Sequence, residues 1–94
     1  MLFALICQDR PNQLKLRLEH RPEHLAYVAA HADQIVYAGP LIDETAGTPN
    51  GSLLILDVPD RGSAEAFASG DPYARAGLFR DVRIVATKQV YPQG

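Results

Sequence analysis

Ser52-Leu53-Leu54-Ile55-Leu56-Asp57-Val58 is a strand whose two sides are both apolar. Side chains alternate across a strand, so Leu54, Leu56 and Val58 face one way and Leu53 and Ile55 the other. Residues 2–8 repeat the pattern, with Leu2, Ala4 and Ile6 opposite Phe3, Leu5 and Cys7. A half-solvated antiparallel strand would carry polar residues on its outer side. These two strands therefore call for cover on both faces.

Between and after them the period changes. From Gln13 the residues Leu14, Leu18, Leu25 and Val28 recur at helical spacing, which predicts a helix over about residues 13–32 with those leucines on its packing side. Pro22 lies inside this run, and a proline both lacks an N–H and crowds the preceding turn, so a distortion is expected at His20–Pro22. Ile35–Ala38 reads as a second strand leading into a Gly39-Pro40 bend, and Asp43 to Gly51 as a hairpin loop. Asp60 and Ser63 are the cap candidates for a short helix that packs through Ala64, Phe67 and Ala68. Gly70 stops it, Tyr73–Leu78 adds another helical turn, and Val82–Tyr91 forms the last strand.

The order β-α-β-β-α-β is the ferredoxin-like, split-βαβ arrangement of the α+β class: an antiparallel sheet with both helices on one face. Two helices cover only one side. The apolar outer side of the strands then implies a homodimer whose sheets pack face to face.

Ninety-four residues are expected to make a single domain, residues 1–94, with a core small enough that association adds useful stability. The 47% hydrophobic and 21% charged content argues against disorder. A net charge of -2 and no basic patch exclude nucleic acid as an expected partner. One cysteine, Cys7, forms no internal disulfide, which suits a cytoplasmic location. The apolar opening lacks the basic flank and cleavage site of a signal peptide and is far shorter than the roughly 20 residues of a membrane span.

Chemistry-bearing residues are few. His20 and His24 are four apart, the spacing of helical metal ligands, but Pro22 breaks the register and no carboxylate or thiolate completes a set, so no metal site is expected. His31 suits the negative end of the helix dipole. There is no phosphate loop, nucleophile elbow or cofactor motif, and none is expected to be needed. Taken alone, His24 is a helical histidine, Asp71 before Pro72 a turn carboxylate, and Tyr73 a packing residue with a polar tip.

In combination they say more. Ala4–Gln8-Asp9, Arg17, Arg21-Pro22-Glu23-His24-Leu25, Ala38-Gly39-Pro40-Leu41, Gly51-Ser52, Glu65-Ala66 and Asp71-Pro72-Tyr73-Ala74-Arg75-Ala76-Gly77-Leu78-Phe79 together resemble the YciI-like (YCII-related) family across nearly the whole chain. The resemblance implies a dimeric α/β-barrel type of assembly and a histidine–aspartate active-site pair, here His24 and Asp71. One related protein is a dehydrochlorinase of a chlorinated hydroxylated aromatic, and muconolactone isomerases share the general fold.

An ionised Asp71 would orient the His24 imidazole for proton transfer near neutral pH. The expected function is a small cofactor-independent lyase or isomerase acting on an anionic or phenolic molecule. Arg17 and Arg21 are the candidate anion contacts, and Gly39, Pro40, Ser52 and Tyr73 the candidate pocket walls. The alternative is a non-catalytic dimer that binds a metabolite or a protein, with the pair kept as a structural hydrogen bond.

Overall fold

Four antiparallel strands and three helices make up the computed structural model, which describes residues 1–93. They are β1 (Leu2–Asp9), α1 (Leu14–Ala30), β2 (Ile35–Ile42), β3 (Pro49–Asp57), α2 (Arg61–Gly70), α3 (Pro72–Arg75) and β4 (Phe79–Thr87), with a single 3-10 turn at Ala32–Gln34. The sheet order is β2-β3-β1-β4, so the two long apolar strands pair at its centre. This is the ferredoxin-like βαββαβ fold expected from the order of elements.

The pairing register separates the two faces. Phe3, Leu5 and Cys7 of β1 lie on the same side as Leu54 and Leu56 of β3, and all are buried beneath the helices. Ala64 and Phe67 of α2 complete that core, with Val58 beside them. On the other side Ala4 pairs with Ile55 and with Val85, and Ile6 pairs with Leu53. Leu2, Ala4, Ile6, Leu53 and Ile55 are only half-buried there, because none of the described elements covers them. The apolar patch gives way at β4 to Arg83 and Asp81, which oppose Ile6 and Gln8.

Several boundaries differ from the sequence expectation. α1 is one continuous helix through Pro22, as the expected helix over 13–32 has it, with ends at Leu14 and Ala30. Pro22 is exposed, on the side of the helix away from the sheet, where water can serve the carbonyl that loses its donor. His24 consequently sits in mid-helix. Gly39 and Pro40 continue β2 instead of bending it, with Pro40 opposite Ser52 on an edge strand, the sheet position that tolerates a missing N–H. β3 starts at Pro49, earlier than Ser52. The connecting loop is fastened by Asp43, whose carboxylate accepts the N–H groups of Thr45 and Ala46. β4 runs Phe79–Thr87 rather than Val82–Tyr91, since Asp9 at the end of β1 still pairs with Phe79 across a register shift.

The packing side of α1 also departs from expectation. Leu18 and Leu25 are 54% and 45% exposed, whereas the buried residues of this helix are Arg17 and His24. Val28, with Tyr27, does pack against the core as expected, so α1 meets the core through its C-terminal half and turns a cation and an imidazole inward where Leu18 and Leu25 were expected.

Candidate active site

Pro72 creates the junction on which the site is built. A residue before proline is driven to extended backbone, so Asp71, at φ -60° and ψ 126°, ends α2 and caps the N-terminus of α3. Its Oδ1 accepts the Tyr73 backbone N–H at 2.9 Å. The same oxygen lies 2.9 Å from Nδ1 of His24. The pair that the resemblance implied is therefore in contact, and the Asp71 side chain is 3% exposed. An ionised carboxylate can only accept, so Nδ1 carries the ring proton and a neutral imidazole keeps its free lone pair on Nε2.

Arg17, two helical turns before His24, projects from the same face of α1. Its Nε donates to Asp9 Oδ2 at 2.7 Å, and its Nη2 donates to Asp9 Oδ1 and to Ser52 Oγ, each at 2.9 Å. Burial alone would pull the guanidinium pKa down; the hydrogen bonds and charge of Asp9 outweigh that, and it stays above its ordinary value. This fork ties α1 to β1 and β3. Tyr73 joins the two functional groups: its ring stacks on the His24 imidazole with centroids 4.1 Å apart and planes at 15°, and the Arg17 guanidinium carbon lies 4.5 Å from the same ring.

Beside these groups is a pocket of about 330 Å³ between α1 and the β2–β3 edge. Arg17, Arg21, His24, Gly39, Pro40, Ser52 and Tyr73 all line it, which brings together every sequence candidate except Asp71, held directly behind His24. Leu18, Leu25, Val28, Ala38 and Pro49 supply an apolar wall that the sequence reading did not assign to it. The i, i+7 spacing of Leu18 and Leu25 is a signal that a core face and a pocket wall share. No carboxylate lines the pocket among the described residues, so its local charge comes from Arg17 and Arg21.

The remaining candidates fall elsewhere. His20 turns toward Glu23, 3.6 Å away, and not toward His24. His31 bonds the Tyr27 carbonyl at the end of α1, at 2.8 Å. Cys7 lies in the core, and burial, followed by the charge of Asp71, pushes its thiol up to about 12, which removes it as a nucleophile at neutral pH. No group of three or more His, Cys, Asp or Glu side chains converges as a metal site among the described residues, and no helix there is long and apolar enough to cross a membrane.

A four-stranded antiparallel sheet carrying its helices on one face, with a histidine–aspartate pair over a small cationic pocket, defines an α+β domain of the dimeric α/β-barrel fold type. Residues 1–88 match the model of the YCII-related domain, and the chain belongs to that family. Proteins named YciI from Escherichia coli O6:H1 and Shigella flexneri are each 32% identical over 98 residues, covering 97% of this chain and all of theirs. Among solved structures, the 5-chloro-2-hydroxyhydroquinone dehydrochlorinase TftG of Burkholderia phenoliruptrix, in complex with 2,5-dihydroxybenzoquinone, superposes with a TM-score of 0.89. Its identity is 30%, and 94% of each chain is covered. An antibiotic biosynthesis monooxygenase shares the fold at a TM-score of 0.57 and 16% identity, over 96% of this chain and 99% of its own.

The two roles of Asp71 separate by substitution. Asp71→Ala removes a helix cap and strands a buried imidazole N–H, a combined loss of roughly 2–4 kcal/mol in urea unfolding. Asp71→Asn keeps an acceptor oxygen in place and is expected to lose about 1 kcal/mol or less. Equal losses would mean that the shared hydrogen bonds do not hold this junction.

Proposed function

We propose that the protein is a small-molecule enzyme that moves a proton without a bound cofactor, a lyase or isomerase of the dehydrochlorinase kind. The observation that carries this reading is the 2.9 Å contact between Asp71 and His24 at the wall of an open pocket. His24 Nε2 takes a proton from a C–H or O–H of the substrate, and Asp71 stabilises the imidazolium that forms. The released electron pair becomes a new double bond. In an elimination the leaving group departs with its own bonding pair, as chloride would; in an isomerisation the imidazolium returns the proton to another carbon. Arg17 and Arg21 favour an anionic or phenolic substrate, and the leucine and proline walls favour a compact apolar ring or lactone. Ser52 steadies Arg17, while Gly39 and Pro40 form the far wall. TftG, a dehydrochlorinase with a quinone ligand in its structure, supports both the chemistry and the substrate class.

Chloride release from 5-chloro-2-hydroxyhydroquinone, followed by turnover of other small hydroxylated aromatics and lactones, identifies the reaction. On whichever substrate is turned over, His24→Ala and Asp71→Asn are expected to lower kcat by roughly 10²–10⁴-fold, the usual worth of general acid–base help. Unchanged rates in both variants would overturn the His24–Asp71 mechanism, whereas a parent protein that turns over none of these compounds would leave the non-catalytic binding module as the better description.

We also propose that the chain is a homodimer joined through the open face of its sheet. Leu2, Ile6, Leu53 and Ile55 are left half-buried by the described residues of one chain, and fully burying a large apolar side chain contributes about 1.5–3 kcal/mol. Sedimentation equilibrium at micromolar concentration is expected to return twice the chain mass, and Ile55→Arg to return one. A monomeric parent protein would overturn the assembly.

A further inference from the structure

Tyr73 is 2% exposed, and the polar side chain that its hydroxyl meets is the Arg17 guanidinium, which can only donate, so the phenol's own O–H has no acceptor among the described residues. A buried phenol normally finds a partner for its O–H. The residue lines the pocket, and its ring is clamped by stacking against His24 and by the guanidinium of Arg17. Its direction is therefore fixed, and a packing role alone would be met by phenylalanine.

Arg17 shows the same incompleteness. Of the five N–H groups of its guanidinium, Asp9 and Ser52 take three through Nε and Nη2 and the Tyr73 hydroxyl takes one, which leaves a donor over on the Nη1 side. Two polar groups are thus held rigidly beside His24 with donors to spare. Burial keeps the Tyr73 phenol above its ordinary pKa, against the pull of Arg17 and Arg21, so it stays a neutral O–H donor at physiological pH.

We propose that the Tyr73 hydroxyl and Arg17 Nη1 form a donor pair that binds a phenolate or enolate oxygen of the substrate next to the His24 base. The inference rests on the proton-transfer reading above and assigns the part of the site that reading leaves open. When His24 removes a proton conjugated to a carbonyl or phenol, negative charge gathers on that oxygen, and donors already aimed at it stabilise the change without reorganising. Such donors contribute most when they are rigid, and the stacked sandwich supplies the rigidity.

The test is Tyr73→Phe, which keeps the ring, the stacking and the backbone N–H that Asp71 caps. The probe is 4-nitrophenol, whose phenolate form is coloured, titrated near its own pKa so that the bound ionisation state is read directly. The parent protein is expected to bind it and draw it toward the phenolate. The variant is expected to bind the phenolate roughly ten- to hundredfold more weakly, the range for a lost hydrogen bond to a charged group. With an active substrate, the same variant should lower kcat more than it raises KM. A parent that binds no phenolate, or a variant that binds it as well as the parent, overturns the donor pair. Loss of turnover in His24→Ala alongside an unaffected Tyr73→Phe would sink this inference while leaving the proton-transfer reading intact. Loss in neither sinks both.

Discussion

One carboxylate oxygen, Oδ1 of Asp71, accepts two hydrogen bonds of 2.9 Å, from the Tyr73 backbone and from the His24 ring. The first starts the short helix that carries Tyr73; the second fixes the orientation of an imidazole from a helix far away in sequence. Removing either partner affects the other, because Tyr73 and His24 also stack. Local backbone chemistry at Pro72 and the long-range geometry of the site are therefore one constraint. This economy suits a small domain, whose limited core cannot hold many polar groups in place by packing alone.

The pocket exists because α1 is anchored at polar points. Arg17 is fastened to Asp9 and Ser52, and His24 to Asp71, so the helix is held by its inward polar side chains. Leu18 and Leu25 are left to line the space next to β2. Buried ion pairs are weak contributors to net stability but expensive to break, which makes them better at fixing geometry than at adding stability. Here they keep a cavity open that a purely apolar helix face would close. The sheet beneath bears its own consequence of the same division. The helices serve one face, and the apolar side chains of β1 and β3 on the other face stay half-buried.

The fold was legible because its signals are local. The two apolar strands, the Asp60 cap and the order of elements follow from period and turn chemistry, and Asp60 does accept the Ser63 N–H. α2 ends beside Gly70 as expected, although Asp71 before Pro72 and not the glycine makes the stop. The errors have physical reasons. Leu18 and Leu25 were expected on the packing side of α1, but the buried positions of that part of the helix belong to Arg17 and His24. Lys88–Tyr91 looked like strand residues, yet β1 offers them no partner, because it pairs only as far as Leu2 with Thr87. The site was less legible. Nothing near Arg17 in sequence reveals Asp9 and Ser52 as its partners, and the polar residues that α1 buries were hidden by leucines that mimic a core stripe. The His24–Asp71 contact came from resemblance; spacing alone leaves those two residues an ordinary helical histidine and an ordinary turn.

The most direct measurement is the tautomer of His24, read by ¹⁵N–¹H correlation of the histidine rings at a pH where free imidazole is neutral, with His24→Gln to assign the signals. A proton on Nδ1 and a free lone pair on Nε2 is the expected result, and in Asp71→Ala that preference should disappear. A ring protonated on Nε2 in the parent protein would contradict the account, since the nitrogen facing the substrate would then have no lone pair with which to accept a proton.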